Sequence, residues 1–381
     1  MKFNKWTVGL AAVGVVSLAS AARADEQKMS VINTALSNTT LSGYVDTSAQ
    51  WNLGQQGGGS VPAYSFSGGK GDGFNFNGLD IALDKPEDES PWASGYHVEL
   101  NLGPDTVATP RQAYVTLRTP VGNGIDWKVG VWDTIIGYES SSAPLNPNYT
   151  RSYGYTIEPT THTGILGTYK INDEFTVSAG VADGSNAGVG PAGVNGRLAY
   201  ETQKAYMGSV AFTAPDSWGW VKGATLSAGV IDAAGTGLGT TSLYVGATVP
   251  TPISALKFGG SFDFLDIHNN AGSDPSAWII GLYSTYQVTE KLSLNARGEY
   301  INDSGIGSTF STPGAPVLFG GSNGEELTLD AQYNLWANVI SRVEIRWDHA
   351  ESGNIYNVGG NGSGTPKNNA ALIAAQLIYQ F

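Results

Sequence analysis

Apolar and polar residues alternate one by one in segment after segment of this 381-residue chain. The final segment shows the pattern most clearly, with apolar residues at Ala371, Ile373, Ala375, Leu377, Tyr379 and Phe381 and glutamines at Gln376 and Gln380. A two-residue period places successive side chains on opposite faces of a β-strand. One apolar face and one mixed face are what a barrel strand between lipid and a wet lumen requires.

The same period predicts about sixteen strands along the chain. The clearest lie at residues 41–53, 96–102, 113–117, 125–131, 175–181, 243–249, 256–264, 292–300, 327–335 and 343–347. Aromatic residues fall near the ends of these segments, as in the two interfacial girdles of membrane barrels. The expected fold is therefore all-β: a transmembrane antiparallel β-barrel of about sixteen strands, wide enough to enclose an aqueous channel.

Short and long connections alternate between these strands. Short ones are predicted at 120–124, 171–174, 251–254, 288–291 and 336–339, and long ones rich in Gly, Ser, Asn and Pro at 54–73, 139–160, 183–202, 268–276, 303–324 and 350–368. Outer-membrane barrels have short periplasmic turns and long extracellular loops. A soluble two-sheet sandwich has no reason for this alternation, so the pattern favours the membrane barrel.

The N-terminal residues have the pattern of a secretion signal. Lys2 and Lys5 precede a short apolar run, and Ala22, Arg23 and Ala24 fit a cleavage site. The predicted division of the chain is a signal peptide at 1–24, a periplasmic lead at 25–38 and the barrel at 39–381. The lead is either a short helix or disordered. No stretch reaches the roughly 18 apolar residues that a helical membrane span needs.

Composition argues against several classes of protein. The sequence has no cysteine, so disulfides and thiolate metal sites are excluded. Acidic residues outnumber basic ones by 33 to 20, which argues against nucleic-acid binding. The same acidity fits either a cation-favouring pore or solvated carboxylates in the loops. No cofactor is expected.

The sequence contains no catalytic motif. The four histidines, His97, His162, His268 and His349, lack the spacing of a metalloprotease, and no GxSxG sequence occurs. A hydrolase site built from distant strands stays open as an alternative, because His97 and Glu99 lie on a predicted lumen face. A solvated histidine is the simpler interpretation, and we expect the protein not to be an enzyme.

The predicted inward faces carry charges of both signs. They are Arg111, Arg118, Lys128, Asp133, Arg297, Glu299, Arg342, Glu344 and Arg346, together with Glu99, Asp330 and Asp348. Rings of charge set the ion preference of pores. Alternatively, neighbours such as Arg297 and Glu299 form ion pairs that merely satisfy one another. The same alternative holds for Glu344 with Arg342 and Arg346.

One long connection, after the fifth predicted strand, has a distinctive sequence. It contains Gly137 and Glu139, then Asn-Pro-Asn-Tyr at 146–149, Thr-Arg-Ser-Tyr at 150–153, and Pro159 followed by His-Thr-Gly at 162–164. This block resembles the β-barrel porins of the OmpL-like family. The segments 41–46 and 84–86 are also similar to that family, and the likeness thins in the second half of the chain. The resemblance implies an outer-membrane channel and does not identify its solutes.

General porins fold their third loop into the lumen, and by analogy we expect the same of residues 139–160. The residues expected at the constriction are Glu139, Arg151, Glu158 and His162, facing Arg111 and Arg118 on the strand wall. The alternative is that this loop forms an external lid or latches a neighbouring subunit.

The expected function is passive diffusion of small hydrophilic solutes and ions through an outer-membrane porin. The alternative is a channel selective for sugars or anions, with inward Tyr44, Tyr114 and Trp132 as a stacking path. A structural or adhesive barrel that does not conduct is a third class. Expected partners are outer-membrane lipids, the solutes, and the barrel assembly machinery, which would recognise the C-terminal strand ending at Phe381. Wide porins are commonly oligomeric, so a homotrimer is one expected assembly.

Overall fold

The computed structural model describes residues 30–31, 38–53, 64–67, 70–106, 110–186, 193–196, 202–233, 238–269, 274–306, 321–353, 356 and 367–381. These residues form a barrel of sixteen strands. The strands are β1 (Thr40–Asn52), β2 (Gly73–Lys85), β3 (Ser94–Leu102), β4 (Gln112–Thr119), β5 (Ile125–Asp133), β6 (Thr161–Lys170), β7 (Phe175–Ala182), β8 (Ala205–Thr213), β9 (Thr225–Ala233), β10 (Leu238–Pro250), β11 (Leu256–Asn269), β12 (Ser276–Gln287), β13 (Leu292–Asp303), β14 (Gly324–Trp336), β15 (Val339–Ala350) and β16 (Asn369–Gln380).

Each strand pairs antiparallel with its neighbours in sequence, and the last strand closes the ring against the first. β16 pairs with β1 from Gln380 opposite Tyr44 to Leu372 opposite Asn52. Closure matters because an open sheet edge in lipid would leave backbone hydrogen-bonding groups unpaired. The structure therefore confirms the predicted closed antiparallel barrel.

Connections at the two ends of the barrel differ in length. The end that holds the start of β1 and the end of β16 carries the connections 86–93, 120–124, 171–174, 214–224, 251–255, 288–291 and 337–338, one of which contains the 3-10 helix Asp216–Val221. The opposite end carries 53–72, 103–111, 134–160, 183–204, 234–237, 270–275, 304–323 and 351–368. By the usual orientation of such barrels, the first set is periplasmic and the second extracellular.

Exposure alternates along the strands and separates an outer from an inner face. Leu329 on β14 and Ile345 on β15 are each 52% exposed, whereas Thr328 and Arg346 beside them are 0% exposed. Large apolar side chains thus point outward, where lipid would cover them. Exposed aromatic side chains lie near both ends of this outer face: Trp51 and Trp347 at the loop end, and Phe175, Tyr286, Tyr333 and Tyr379 at the turn end.

The inner face is not polar throughout. One buried apolar cluster joins Leu265, Ile267, Ile279 and Ile301 on the wall to Tyr153 and Ile157 of the 134–160 connection. A second joins Trp132, Leu166, Met207 and Ile231 to Ile135, Ile136 and Tyr138 of the same connection. These apolar side chains are covered because the connection folds back over them.

The predicted signal peptide at 1–24 lies outside the described residues, as does most of the lead at 25–38. Within that lead, Ser30 and Val31 pair antiparallel with Leu41 and Thr40 of β1. None of the helices in the described ranges is long and apolar enough to span a membrane.

Candidate functional site

The connection between β5 and β6, residues 134–160, lies inside the barrel, and we call it loop 3. At its centre Asn148, Tyr149, Thr150 and Ser152 are at most 4% exposed. Loop 3 contains the 3-10 helix Ala143–Leu145 and one short α-helix, α1 (Tyr153–Ile157). Its polar contacts include inward-facing residues of β1, β10, β13 and β15, so the loop occupies the lumen rather than the outside of the barrel.

Local hydrogen bonds give loop 3 its shape. The Ser152 hydroxyl caps α1 by accepting a hydrogen bond from the Tyr155 N–H at 2.9 Å. The Asn146 side chain closes the preceding turn: its oxygen accepts from the Ser140 N–H at 2.7 Å, and its amide donates to the Ser140 carbonyl at 2.7 Å. Such side-chain bonds to nearby backbone favour turns over regular structure.

Two carboxylates of the wall bind the backbone of loop 3. Glu344 of β15 accepts from the N–H of Tyr149 at 2.6 Å, and from the N–H and hydroxyl of Thr150 at 3.1 and 2.6 Å. Glu299 of β13 accepts from the N–H of Tyr153 at 2.6 Å and of Gly154 at 3.2 Å. Amides in the first turn of a helix have no acceptor within the helix. The carboxylates therefore satisfy donors that burial would otherwise leave unpaired.

Three arginines of the wall bind the carbonyl oxygens of loop 3. The contacts are Arg297 to Thr150 at 2.8 Å, Arg346 to Arg151 at 2.7 Å and Arg342 to Ala143 at 3.1 Å. Arg297 also donates to the Glu139 carboxylate of the loop at 2.7 Å. Glu139 in turn accepts from the Ser152 N–H at 2.8 Å, so one loop carboxylate links the wall to the start of α1.

The register of β13, β14 and β15 explains why these groups meet. Arg297, Thr328 and Arg346 lie opposite one another and form one row across the three strands. The next row toward the extracellular end holds Glu299, Glu326 and Asp348, and the next toward the periplasmic end holds Asn295, Asp330 and Glu344. The arginine row can donate to carbonyl groups of the loop backbone, and the carboxylates of the two flanking rows can accept from its N–H groups.

Arg111 and Arg118, which the sequence places opposite loop 3, form ion pairs within their own part of the wall, so their facing of the loop stays a prediction. Arg111 binds Glu99 at 2.8 Å and both carboxylate oxygens of Asp133 at 2.6 Å. Arg118 pairs with Asp126 near the periplasmic end. Both arginines are engaged by acidic residues of their own part of the wall. Glu139, the carboxylate of loop 3, pairs with Arg297 of the arginine row on β13 to β15.

The predicted cross-strand ion pairs form only in part. Arg297 Nε lies 3.6 Å from Glu299 and 2.6 Å from Glu326. Glu344 binds the loop backbone instead of the neighbouring arginines. Glu326 was not among the predicted site residues, although it precedes the outward-facing Leu327 and so occupies an inward position in the two-residue period.

Arg151 and His162 of the predicted constriction are buried. Arg151 donates to the Ser141 carbonyl at 3.0 Å, within loop 3 itself. His162 Nε2 lies 3.0 Å from the Thr134 hydroxyl, across the two ends of the loop. Both side chains therefore brace the loop, and in this structure neither faces open lumen.

Lys128 and Tyr114 keep exposed surface on the inner wall. Lys128 Nζ lies 4.7 Å from the centroid of the Tyr114 ring, and the His97 ring stacks on Tyr114 at 5.3 Å. Tyr44 and Trp132 are only 6% and 0% exposed. The three aromatic residues predicted as a stacking path thus do not form a continuous exposed surface.

Part of the loop between β1 and β2 covers loop 3 from the extracellular side. The Tyr64 hydroxyl donates to the Gln50 side chain at 3.2 Å. Lys70 binds Asp105 at 2.9 Å and lies over the Tyr149 ring, 4.8 Å from its centroid. These contacts were not predicted, because Gly-rich segments such as 54–73 carry no periodic signal.

Glu158, near the C-terminal end of loop 3, meets Asp263 of β11. The two carboxyl groups lie within hydrogen-bonding distance of each other. Burial raises the pKa of Glu158 well above its usual range, and the Asp263 carboxyl acts in the same direction. This carboxyl pair is a second contact between loop 3 and the wall, separate from the arginine row.

A family model described as putative beta-barrel porin-2, OmpL-like, matches residues 38–381. The chain belongs to this family. The match covers the whole barrel, including the second half, where the resemblance seen in the sequence was thin. The family membership and the closed barrel identify a porin and indicate a channel rather than an enzyme. No curated protein matches the sequence.

Solved structures of other porins and channels share the fold of this porin. An anion-selective porin from Comamonas acidovorans has 14% sequence identity and a TM-score of 0.58, over 90% of this chain and 99% of that chain. The trimer form of OmpT from Vibrio cholerae has 14% identity and a TM-score of 0.59, over 90% and 99%. The outer membrane channel DcaP of Acinetobacter baumannii has 11% identity and a TM-score of 0.57, over 90% and 97%. The family and these neighbours point to the bacterial outer membrane.

Proposed function

We propose that this porin conducts small hydrophilic solutes and ions by passive diffusion through the part of the lumen that loop 3 leaves open. The observation that carries the proposal is a closed sixteen-strand ring with a loop bonded to its inner wall. Barrels of this size enclose water, and a loop inside the ring narrows the passage. No energy source or cofactor is required.

Liposome swelling tests this function. Proteoliposomes in a graded series of neutral and charged solutes should swell at rates that fall with solute size, without saturation at high concentration. Empty liposomes are the control. The absence of swelling in every solute would leave a structural or adhesive barrel as the better interpretation.

Loop 3 sets the pore size in this proposal. Deleting residues 145–149 removes the Tyr149 N–H that donates to Glu344 and shortens the loop, and we therefore expect a larger single-channel conductance in planar bilayers. The deletion leaves all sixteen strands intact. An unchanged conductance would show that the loop does not constrict the channel.

The pore-lining residues of this proposal fall into two groups. Lys128 keeps exposed surface, and Asp133 has 27% of its side chain exposed, so both can face permeating ions directly. The second group acts by holding or shaping loop 3 and comprises Glu139, Arg151, Glu158, His162, Arg297, Glu299, Arg342, Glu344 and Arg346. Arg111 and Arg118 belong to another part of the wall, at and beside β4.

A channel selective for sugars or anions is the second candidate. A structural neighbour is named as an anion-selective porin, and the partly exposed Lys128 on Tyr114 offers a cation to the lumen. The buried Tyr44 and Trp132 do not favour a sugar-stacking path. Saturable flux would support selectivity, whereas flux proportional to concentration supports simple diffusion.

The proposed function also requires export of the chain and its assembly into the outer membrane. Residues 1–24 act as a signal peptide that is removed on export, and the barrel assembly machinery recognises the strand that ends at Phe381. The mature barrel contacts outer-membrane lipids through its apolar outer face. A homotrimer is the proposed assembly, in line with the trimer form of one structural neighbour. Mass measurement of the detergent-solubilised protein distinguishes it from a monomer.

A further inference from the structure

The contact between Glu158 and Asp263 has no counter-charge among the residues that the structure describes. Asp263 is 1% exposed and Glu158 is 9% exposed. Among the described residues neither carboxyl group has a Lys, Arg or His nitrogen within 4.0 Å. Other groups that act electrostatically on Glu158, namely Glu139 and Glu299, are acidic as well. Two buried carboxyl groups in such surroundings are costly unless a shared proton or a cation joins them.

Further buried oxygen atoms lie on the wall strands beside this pair. Among the described residues, five buried oxygen atoms at neighbouring positions of β10, β11 and β12 lack a well-aligned hydrogen-bond partner: both carboxylate oxygens of Asp263, Ser261 Oγ, Tyr244 Oη and Tyr283 Oη. Register brings them together, because Tyr244 lies opposite Asp263 and Ser261 lies opposite Gly281. A methyl group built on Gly281 would lie 2.8 Å from Ser261 Oγ and 3.4 Å from Tyr283 Oη, so both oxygens approach the same point.

The chemical type of these oxygen atoms indicates which ligand they would bind. Buried polar atoms without protein partners are normally satisfied by ordered water or by an ion. When both carboxyl groups are ionised, their negative charge favours a cation over water alone. Carboxylate and hydroxyl oxygens are hard ligands, which calcium prefers and thiophilic metals do not. Two carboxylates also balance the charge of one divalent ion, and water molecules can complete its coordination.

We propose that Glu158, Asp263 and Ser261, flanked by Tyr244 and Tyr283, bind a calcium ion that clamps the C-terminal end of loop 3 to β11. Loop 3 is then held at two places: by the arginine and glutamate side chains of β13 to β15, and by the ion at β11. The effect of the ion on conduction rests on the proposed channel function, whereas the binding site itself does not.

Terbium luminescence tests the site in the folded, detergent-solubilised protein. Terbium replaces calcium at oxygen sites, and excitation of the adjacent tyrosines should give sensitised emission that added calcium removes. Asp263→Asn should abolish most of this emission. Asp266→Asn is the matched control, because Asp266 lies on the same strand and pairs with His268 at 3.6 Å on the outer face. Ser261→Ala keeps both carboxyl groups, guards against a folding defect, and should weaken binding several-fold.

Planar bilayers test the consequence for the loop. Chelation of calcium should raise single-channel conductance or its fluctuation, and added calcium should reverse this in the wild type but not in Asp263→Asn. Emission that persists in Asp263→Asn would overturn the proposal. A conductance that responds to pH but not to calcium would identify a shared proton instead of an ion and would also overturn it. If no channels form, the proposed function fails, and the luminescence experiment still decides the site.

Discussion

Replacing Arg297 with alanine is expected to release loop 3 from the wall and to widen the channel. The Arg297 side chain is fully buried and binds Glu326 at 2.6 Å, Glu139 at 2.7 Å and the Thr150 carbonyl at 2.8 Å. Its removal leaves Glu139 buried without its cation, and breaking such a pair costs about 3–5 kcal/mol. Strand pairing does not depend on this side chain. We therefore expect a folded barrel with a larger and noisier single-channel conductance in planar bilayers.

Arg118→Ala is the matched control for this experiment. Arg118 is also a buried, paired arginine of the inner wall, but it binds Asp126 and the Asn123 carbonyl near the periplasmic end. Its loss should leave loop 3 docked and the conductance close to that of the wild type. The circular dichroism of both variants should show intact β-structure. If Arg297→Ala conducts like the wild type, either the loop stays docked without this residue or it does not limit the pore.

The barrel was predictable because one physical constraint acts on every strand. Lipid outside and polar groups inside force a two-residue period, and Leu327, Leu329 and Ala331 alternate with Thr328 and Asp330 accordingly. The same constraint reveals which charged residues point inward. Reading this period does not require knowing which strands lie opposite each other. A single sequence is therefore sufficient to predict the barrel and its inward-facing charges.

The partner of loop 3 was not predictable in this way. Arg111 and Arg297 look alike in the sequence, since each lies on an inward face near acidic residues. The structure distinguishes them through register: Arg297 aligns with Thr328 and Arg346 across three strands, whereas Arg111 is engaged by Asp133 and Glu99. Long-range alignment of this kind leaves no local periodic signal.

The apolar part of the inner wall was hidden for a related reason. Ile267 and Ile279 point into the lumen, where a polar residue would be expected next to water. They are stable there because Tyr153 and Ile157 of loop 3 cover them. The alternation of polar and apolar residues indicates whether water or lipid lies beside each face of a strand. The indication fails where another part of the same chain, here loop 3, covers that face instead.

The block that resembles the OmpL-like family coincides with the docked part of loop 3. Within residues 146–153, the wall binds mainly backbone groups, as when Glu344 accepts from the N–H of Tyr149 and Arg346 donates to the Arg151 carbonyl. Some side chains of the block shape the loop, as Ser152 does by capping α1, and others bind the wall, as the Tyr153 hydroxyl does by donating to Asp348 at 2.6 Å. The motif therefore specifies both a backbone conformation and side-chain contacts that the polar wall recognises.

Phe381→Ala is expected to reduce strongly the amount of protein in the outer membrane. The backbone of Phe381 continues the pairing of the last strand with the first, because its N–H and carbonyl both bond to Gly43 at 3.0 Å. Its ring lies over Gly43, where a built methyl group would come within 2.7 Å of the ring. Alanine keeps the backbone bonds and removes the ring, which is the feature we propose the assembly machinery recognises.

Two comparisons separate recognition from barrel closure. Phe381→Ala should refold in detergent as well as the wild type but accumulate several-fold less in cells, whereas deletion of Phe381 should impair both, because it also removes the bonds to Gly43. Phe74→Ala, which removes a 95% exposed aromatic ring near the extracellular end of β2, should leave accumulation unchanged. Wild-type accumulation of Phe381→Ala would show that the ring is not needed for assembly, and the closing strand would then act through its backbone alone.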